Sequence, residues 1–458
     1  MSKRVLLIAY QFPPVGGGGV QRSVKFAKYL PATGWSPSIL TVRNPSVPSL
    51  DHSLCADLPA DLPVYRANTW EPGYGMKTLV SAASTRKAAR HSAVGWAKGA
   101  LRRAVGGMLQ PDPQILWLPS AIHLGRQILR DVPHDAIVAT APPYSSFLVG
   151  AALSRRTGLP LVVDFRDEWT ISNTYSENKR PGPISGRVQR RMQRHVLSRA
   201  SLVLATTESS AKALEGLCRQ IGSTAEVSQI YNGFDPDDFP VEPQQQASGA
   251  DGTCRLAYVG TLWNLTTVAP LVAAMQDLAA RRPELAKRIE LVFVGRRTAA
   301  QEELLDRLAA LPCRLVRHDY LDHSEATGFV RSAHALCALL TDCPGAERVV
   351  PGKIFEYMAS RRPILAISPP GELWKVLEGY PAAHRLLPGD VRKIADCIAS
   401  ICENGSQSSV AELMEWDGAE FNRRNQARRL AEFLDHLTTA RAGAVEPAEA
   451  RGNCTAIA

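Results

Sequence analysis

Short apolar runs alternate along this chain with stretches whose apolar residues recur at helical spacing, as Val188, Met192 and Val196 do. That alternation points to parallel sheets joined by crossover helices. Over the first half it predicts strands near 4–9, 37–42, 135–139, 160–165, 201–206 and 226–230. Helices are expected near 20–30, 120–130, 144–157, 187–200 and 208–218. Residues 45–110 follow neither period. They are Pro-rich at first and basic later, and read as an irregular insertion carrying acceptor or membrane contacts.

Tyr231-Asn232-Gly233-Phe234-Asp235 is a turn signal. The polar run from Glu242 to Gly252 has the composition of a linker. The pattern then restarts, with strands near 255–259, 289–294, 313–316, 335–340 and 363–367. Helices fit near 267–280, 299–309, 323–331, 352–360 and 388–403, and a last amphipathic helix covers about 415–438. A restart after a linker means two α/β domains, placed at 1–240 and 241–414, with a small, polar tail at 441–458 expected to be disordered. Ligands of such sheets bind at the carboxyl ends of strands, so the cleft between the domains is the expected site.

Composition narrows the class. The 458 residues are 45% hydrophobic and 21% charged, the balance of a soluble globular protein. No apolar run reaches membrane-spanning length. The run Val5-Leu6-Leu7-Ile8 is too short for a signal peptide and reads as a first strand, so a cytoplasmic protein is expected. The nine cysteines are scattered, with no C-x-x-C pair and no nearby histidine grouping, which predicts reduced thiols and no metal. The net charge of +9 favours anionic partners. Its cations gather between Lys77 and Arg103 and between Arg187 and Arg199. Each stretch reads either as a helix lying on anionic lipid or as a solvated helix packed on a core. Nucleic acid is not expected: no recognised binding motif is present and aromatics are only 7%.

The candidate chemistry lies at strand ends. Val349-Val350-Pro351-Gly352 sets a turn that opens a helix, and Lys353 and Glu356 share one face of it. Helix N-termini attract phosphate, Lys353 adds a cation, and Glu356 can accept two hydrogen bonds from a ribose diol. The plainer alternative is a surface helix with an i, i+3 ion pair. Gly16-Gly17-Gly18-Gly19 follows the first strand, where backbone without Cβ can approach a phosphate or sugar closely. It is neither G-x-G-x-x-G nor a P-loop. The second strand ends in Thr41-Val42-Arg43-Asn44, without the acid that a nicotinamide dinucleotide needs. In Asp164-Phe165-Arg166-Asp167-Glu168-Trp169, Arg166 could hold an anion and Asp167 act as a base or orient a hydroxyl; a buried Arg–Asp pair is the alternative. In Ala141-Pro142-Pro143-Tyr144-Ser145-Ser146 the serines fit best as helix caps, and no G-x-S-x-G supports a hydrolase. Gly260-Thr261, Gly295-Arg296-Arg297 and His318-Asp319-Tyr320 end three successive strands of the second half, and a base could stack on Tyr320.

With these motifs in hand, the chain resembles the retaining glycosyltransferases of the GT-B fold, glycosyltransferase family 4 (group 1), in a branch that builds exopolysaccharide or capsule. The resemblance rests on Leu6 to Pro14 with the glycine run, on Pro111-Asp112-Pro113-Gln114 with Trp117, and on the segments at 141–146, 164–169 and 231–235. Tyr258-Val259-Gly260-Thr261 and the block Lys353 to Pro363 extend it through the second half. It implies two Rossmann-like domains with the donor held mainly by the second, a helix at 415–440 crossing back to the first, and no metal. Glu356 matches the second Glu of the family's E-x7-E motif. Three positions depart from the pattern. Arg348 stands where the first Glu is expected, with Glu347 one position off. Thr261 to Thr266 lacks the basic pair that grips the diphosphate, leaving that task to Lys353 and Arg348. Arg166 stands where many relatives carry a histidine.

The expectation is transfer of a sugar from a nucleotide-diphosphate sugar to a glycan or lipid-linked hydroxyl with retention, in cell-surface polysaccharide or glycolipid synthesis. The protein would be cytoplasmic, either free or peripheral on the inner membrane face. Arg166, Asp167 and Lys353 are the catalytic candidates. Gly16, Gly17, Gly18, Gly19, Gly260, Thr261, Arg296, Tyr320, Arg348, Lys353 and Glu356 are the donor-binding ones. A sugar-nucleotide epimerase of the same fold and a non-catalytic nucleotide-sugar-binding partner protein are the alternatives.

Overall fold

The computed structural model describes residues 2–47, 49–74, 109–169, 182–240, 252–404 and 410–445. The first domain is a seven-stranded sheet of order β3-β2-β1-β4-β5-β6-β7. Its strands are β1 (Lys3–Ile8), β2 (Trp35–Val42), β3 (Val64–Ala67), β4 (Ala136–Ala141), β5 (Leu161–Phe165), β6 (Leu202–Ala205) and β7 (Glu226–Gln229). The second is a six-stranded sheet of order β10-β9-β8-β11-β12-β13. It contains β8 (Cys254–Val259), β9 (Ile289–Val294), β10 (Arg314–His318), β11 (Ala335–Leu339), β12 (Ile364–Ile367) and β13 (Ala383–Leu386). Every strand pairing is parallel.

Both sheets are covered on both faces, which is why their strands read as continuous apolar runs. Successive side chains of a strand point to opposite faces. Leu6 and Ile8 accordingly enter one core with the helices Ser145–Thr157 and Pro183–Leu197, while Val5 and Leu7 enter another with the helix Gly18–Tyr29. The second sheet is built likewise. One core lies under the helices Ala269–Arg281 and Val391–Asn404, the other under His323–Ser332 and Lys353–Ala359.

Several expectations need correction. Residues 45–110 are not wholly irregular: Val64–Ala67 forms the edge strand β3, and β13 was also missed. Val-Tyr-Arg-Ala and Ala-His-Arg-Leu are short edge strands with no apolar run to reveal them. The last helix begins at Arg423, not near 415, and continues through the expected start of the tail to Val445. Before it stand a short helix, Val410–Glu415, and a 3-10 turn, Ala419–Phe421. Ser145 and Ser146 do not cap their helix. Asp112 does so, its Oδ2 accepting the Ser145 N–H at 3.0 Å. Finally, Cys254 and Cys402 are joined as a disulfide between the start of β8 and the end of a helix, so this pair is not reduced. The basic stretch 77–103, the linker 242–251 and the tail beyond 445 lie outside the described residues.

The helix Arg423–Val445 lies on the first domain. Ala427, Leu430, Ala431 and Leu434 are buried in the core that holds the helix Gly18–Tyr29. Asp435 fixes its far end, accepting from Lys3 Nζ at 2.6 Å and from Trp35 Nε1 at 3.1 Å. Its near end is pinned to the 231–235 turn: Phe234 N–H donates to Phe421 O at 2.9 Å, and Arg423 N–H donates to Phe234 O at 3.0 Å. A Cβ on Gly233 would lie 2.0 Å from Phe421 O, so this glycine is required by the close crossing of two backbones.

Candidate active site

The carboxyl ends of the two sheets face each other, and side chains from both meet between them. On the first-domain side, β1 leads into the glycine run. Gly17, at φ 100, precedes the helix Gly18–Tyr29, in a conformation that favours glycine. A buried ion pair holds this helix to the end of β5. Arg22 donates through Nε and Nη2 to Asp164 at 2.8–3.1 Å, and through Nη1 to the carbonyls of Ile230 and Tyr231. Thr140 Oγ1 donates to the same carboxylate at 2.9 Å. The buried Arg–Asp pair weighed for this strand therefore exists, but its arginine is Arg22, not Arg166.

Arg166 is also buried. Its guanidinium donates to the carbonyls of Ala141 and Pro142 and to Gln11 Oε1. A Cβ on Gly19 would lie 2.9 Å from Arg166 Nη1, so the glycine run and this cation are in contact. Burial pushes the guanidinium pKa down, against the opposing pull of Asp167 and Asp164. Asp167 is open to solvent. Protein packed around it raises its carboxyl pKa, with Arg166 acting the other way. Glu168 is buried and accepts from Ser210 Oγ at 2.7 Å.

On the second-domain side, Gly260 and Gly295 end β8 and β9 with φ of 140 and 125. A Cβ on Gly295 would be 2.5 Å from Gly260 O, so these two strand ends touch through backbone. Lys353 opens the seven-residue helix Lys353–Ala359, and its Nζ lies 3.3 Å from the centre of the Tyr258 ring. A Cβ on Gly260 would come within 3.0 Å of that Nζ. Lys353 and Glu356 form no ion pair, and among the described residues no carboxylate lies within ion-pair reach of Lys353, so the plain surface-helix reading fails. Burial pushes the Lys353 amine well below the ordinary lysine range, a shift that Cys337 and Glu356 only partly oppose. Glu356, half-buried one turn later, makes no side-chain hydrogen bond among the described residues. Burial raises its carboxyl, with the nearby His323 charge opposing.

Contacts across the cleft decide the remaining candidates. Arg348 Nη1 pairs with Glu168 at 3.2 Å, and Thr207 Oγ1 donates to Arg348 O at 3.2 Å. The Arg348 charge is thus met by a carboxylate of the opposite domain, whereas Lys353 has no carboxylate partner among the described residues. Glu347 turns back to the Gly345 N–H at 2.9 Å. Tyr320 places its hydroxyl on the glycine run, 3.1 Å from Gly17 N, rather than standing free as a platform for a base. Arg296 is exposed and reaches Tyr74 Oη at 3.5 Å. The Thr261 side chain is exposed, while its carbonyl accepts from Tyr258 Oη and Thr266 Oγ1. Gly18 has open space where a Cβ would be. Motif reading missed Tyr258 as the ring beneath Lys353, although it stood in a quoted motif. It also missed Asp51 and His323, which no local pattern marks.

No helix among the described residues is long and apolar enough to cross a membrane, and among them no His, Cys, Asp or Glu side chains cluster as a metal site. The Anabaena protein HepE in complex with UDP and glucose aligns with a TM-score of 0.56 at 16% identity, over 97% of this chain and 99% of that one. The α,α-trehalose 6-phosphate synthase of Burkholderia multivorans aligns with a TM-score of 0.58 at 16% identity, over 97% and 100%. A putative UDP-N-acetylglucosamine 2-epimerase from Listeria monocytogenes gives 0.52 at 12%, over 94% and 95%. The fold is thus GT-B: two Rossmann-like α/β domains around a cleft. Residues 17–233 match the glycosyl transferase 4-like domain and residues 253–404 match the glycosyl transferases group 1 domain. Together these two glycosyltransferase domain matches span both lobes. No curated protein matches it by sequence.

Proposed function

We propose that this protein transfers a sugar from a nucleoside-diphosphate sugar to a hydroxyl of a glycan or lipid-linked acceptor, with the anomeric configuration retained. The observation that carries the reading is Lys353, a cation held over Tyr258 at the glycine end of β8 with no carboxylate partner among the described residues. A diphosphate there supplies the counter-charge. As the sugar leaves, negative charge grows on the diphosphate, and a cation already in place stabilises the transition state more than the ground state. Glu356, one turn along the same helix face and with no side-chain hydrogen bond among the described residues, receives the ribose diol. The glycine run and Arg166 border the sugar, and Asp167, exposed beside Arg166, orients the acceptor hydroxyl. Charge neutralisation falls to Lys353 rather than to a metal. A place in cell-surface polysaccharide synthesis, at the inner membrane face, follows from the family branch that the motifs resemble.

The test is a thermal-shift screen with UDP, GDP, ADP, TDP and their sugar conjugates on the wild type and on Glu356→Ala. A ligand at about 100 times its Kd should stabilise by about 2.7 kcal/mol. The variant should lose about 1.5–3 kcal/mol of binding, the worth of charged hydrogen bonds to the diol. Equal stabilisation of both proteins would remove Glu356 from the ribose. No stabilisation of either would overturn the donor reading. Product analysis without acceptor separates a transferase, which hydrolyses donor slowly or not at all, from an epimerase, which returns a new sugar nucleotide.

A further inference from the structure

The glycine run meets the second domain through Tyr320. Tyr320, two residues beyond β10, accepts the Gly17 N–H at 3.1 Å, and its hydroxyl donates to Asp51 Oδ2 at 3.3 Å. The same Asp51 oxygen accepts the His323 N–H at 3.2 Å. Asp51 belongs to the first domain and is built into the base of the glycine run. Its N–H donates to Pro14 O at 2.7 Å, and Gly16 N–H donates to Ser49 O at 3.1 Å, flanking an antiparallel bridge between Val15 and Leu50. Asp51 Oδ1 is occupied by Ser53 N and Oγ at 3.0 and 2.5 Å. The carboxylate is therefore buried, oriented by its own domain through one oxygen and offered to the other domain through the second.

Gly16 gives an independent sign that this contact is built in. It has no left-handed φ, so its backbone would accept alanine. Yet a Cβ there would lie 2.4 Å from Tyr320 Oη and 3.2 Å from Asp51 Cβ. What excludes a side chain at Gly16 is the approach of a tyrosine from the opposite domain.

We propose that Asp51 and Tyr320 are positioning residues, which latch the glycine run of the first domain onto the strand ends of the second and so set its place over the nucleotide seat. The proposal rests on the donor-site reading above. Tyr320 acts through the Gly17 amide, not by stacking on a base. Its phenol, pushed up to about 12 by burial and by Asp51, keeps the proton that it donates.

The test uses the full chain with Tyr320→Phe, Asp51→Asn and Gly16→Ala, each checked for folding by circular dichroism. Two readouts need no ligand: small-angle X-ray scattering, and hydrogen exchange at the Gly17 amide. Tyr320→Phe and Gly16→Ala should increase the radius of gyration, and Tyr320→Phe should speed Gly17 exchange about tenfold, the loss of one hydrogen bond. Tyr320→Phe added to Asp51→Asn should change little more, because the two residues share one contact. With UDP-glucose as probe donor, Tyr320→Phe should lower kcat about tenfold and leave KM within twofold. Unchanged scattering and exchange in Tyr320→Phe would overturn the latch. A larger KM with unchanged kcat would also overturn it, in favour of direct nucleotide contact. If scattering and exchange respond while the wild type turns over no nucleotide sugar, the latch stands and the donor reading falls.

Discussion

Lys353 shows how much of this site is decided by what surrounds one residue. Its charge is stabilised by the face of Tyr258 and opposed by desolvation, and desolvation wins. A diphosphate raises the amine's pKa again, so at a pH above the depressed pKa of the free amine nucleotide binding should take up a proton. Affinity should then fall as pH rises above the depressed pKa of the free amine. Calorimetry in two buffers of different ionisation enthalpy, run across a series of pH values, measures this; identical heats throughout the series would take Lys353 out of contact with the ligand. Lys353→Met should lower turnover roughly 100-fold, the scale of one electrostatic donor lost from a transition state, and weaken donor binding less. Weakened binding with unchanged turnover would mean that Lys353 binds the donor without favouring its cleavage.

Among the elements, the crossover into the last helix carries the sharpest packing constraint. Gly233→Ala drives a methyl into Phe421 O, where the nearest approach is 2.0 Å. The expected cost is about 3 kcal/mol in urea unfolding, at the upper end for overpacking. Gly216→Ala, in the helix Glu208–Ile221 with nothing within 4 Å, should instead stabilise by about 0.5–1 kcal/mol. If both variants unfold alike, the crossing is looser than its geometry implies. The helix Pro183–Leu197 divides its two candidate roles along its length. Val196 is buried and Met192 packs on the core, as in an ordinary domain helix. At its start Ile184 and Val188 are exposed beside Arg187, Arg190, Arg191 and Arg194. None of these four arginines has an acidic partner among the described residues. Anionic vesicles at low salt should retain the wild type and release an Arg187→Glu, Arg191→Glu variant. Equal retention of both would place any membrane contact elsewhere.

At the scale of the molecule, polar contacts hold the domains face to face, and one of them titrates. His323 Nε2 lies 3.0 Å from Asp238 Oδ2. Burial would discharge the imidazole, but the bond to Asp238 and the charge of Glu356 outweigh it and lift the pKa from 6.5 to about 9. A raised pKa stabilises the fold below the ordinary value of 6.5 and loses that effect as pH climbs through about 9. The Tm difference between wild type and His323→Gln should therefore be greatest near pH 6 and shrink towards pH 10. A constant difference would mean that His323 contributes by packing alone. Ser209 N–H on Glu372 at 3.0 Å and Arg348 on Glu168 at 3.2 Å join the same lobes.

The sequence by itself determined the two α/β domains, because strands covered on both faces and helices with one apolar face leave periods that survive without neighbours. Strand ends were legible for the same reason, and with them Gly16 to Gly19, Arg166, Gly260, Lys353 and Glu356. β3 and β13 were not, since an edge strand need not be apolar. Only the tertiary structure decided which charges are free. Arg348 and Lys353 look equivalent in a motif, yet Glu168 pairs with the first, while the second lies over an aromatic face with no carboxylate partner among the described residues. It also gave Tyr320 to the glycine run and made Asp51 the residue that receives it. Such pairings join residues hundreds of positions apart. They depend on distances of a few ångströms between two folded bodies, which no local pattern encodes.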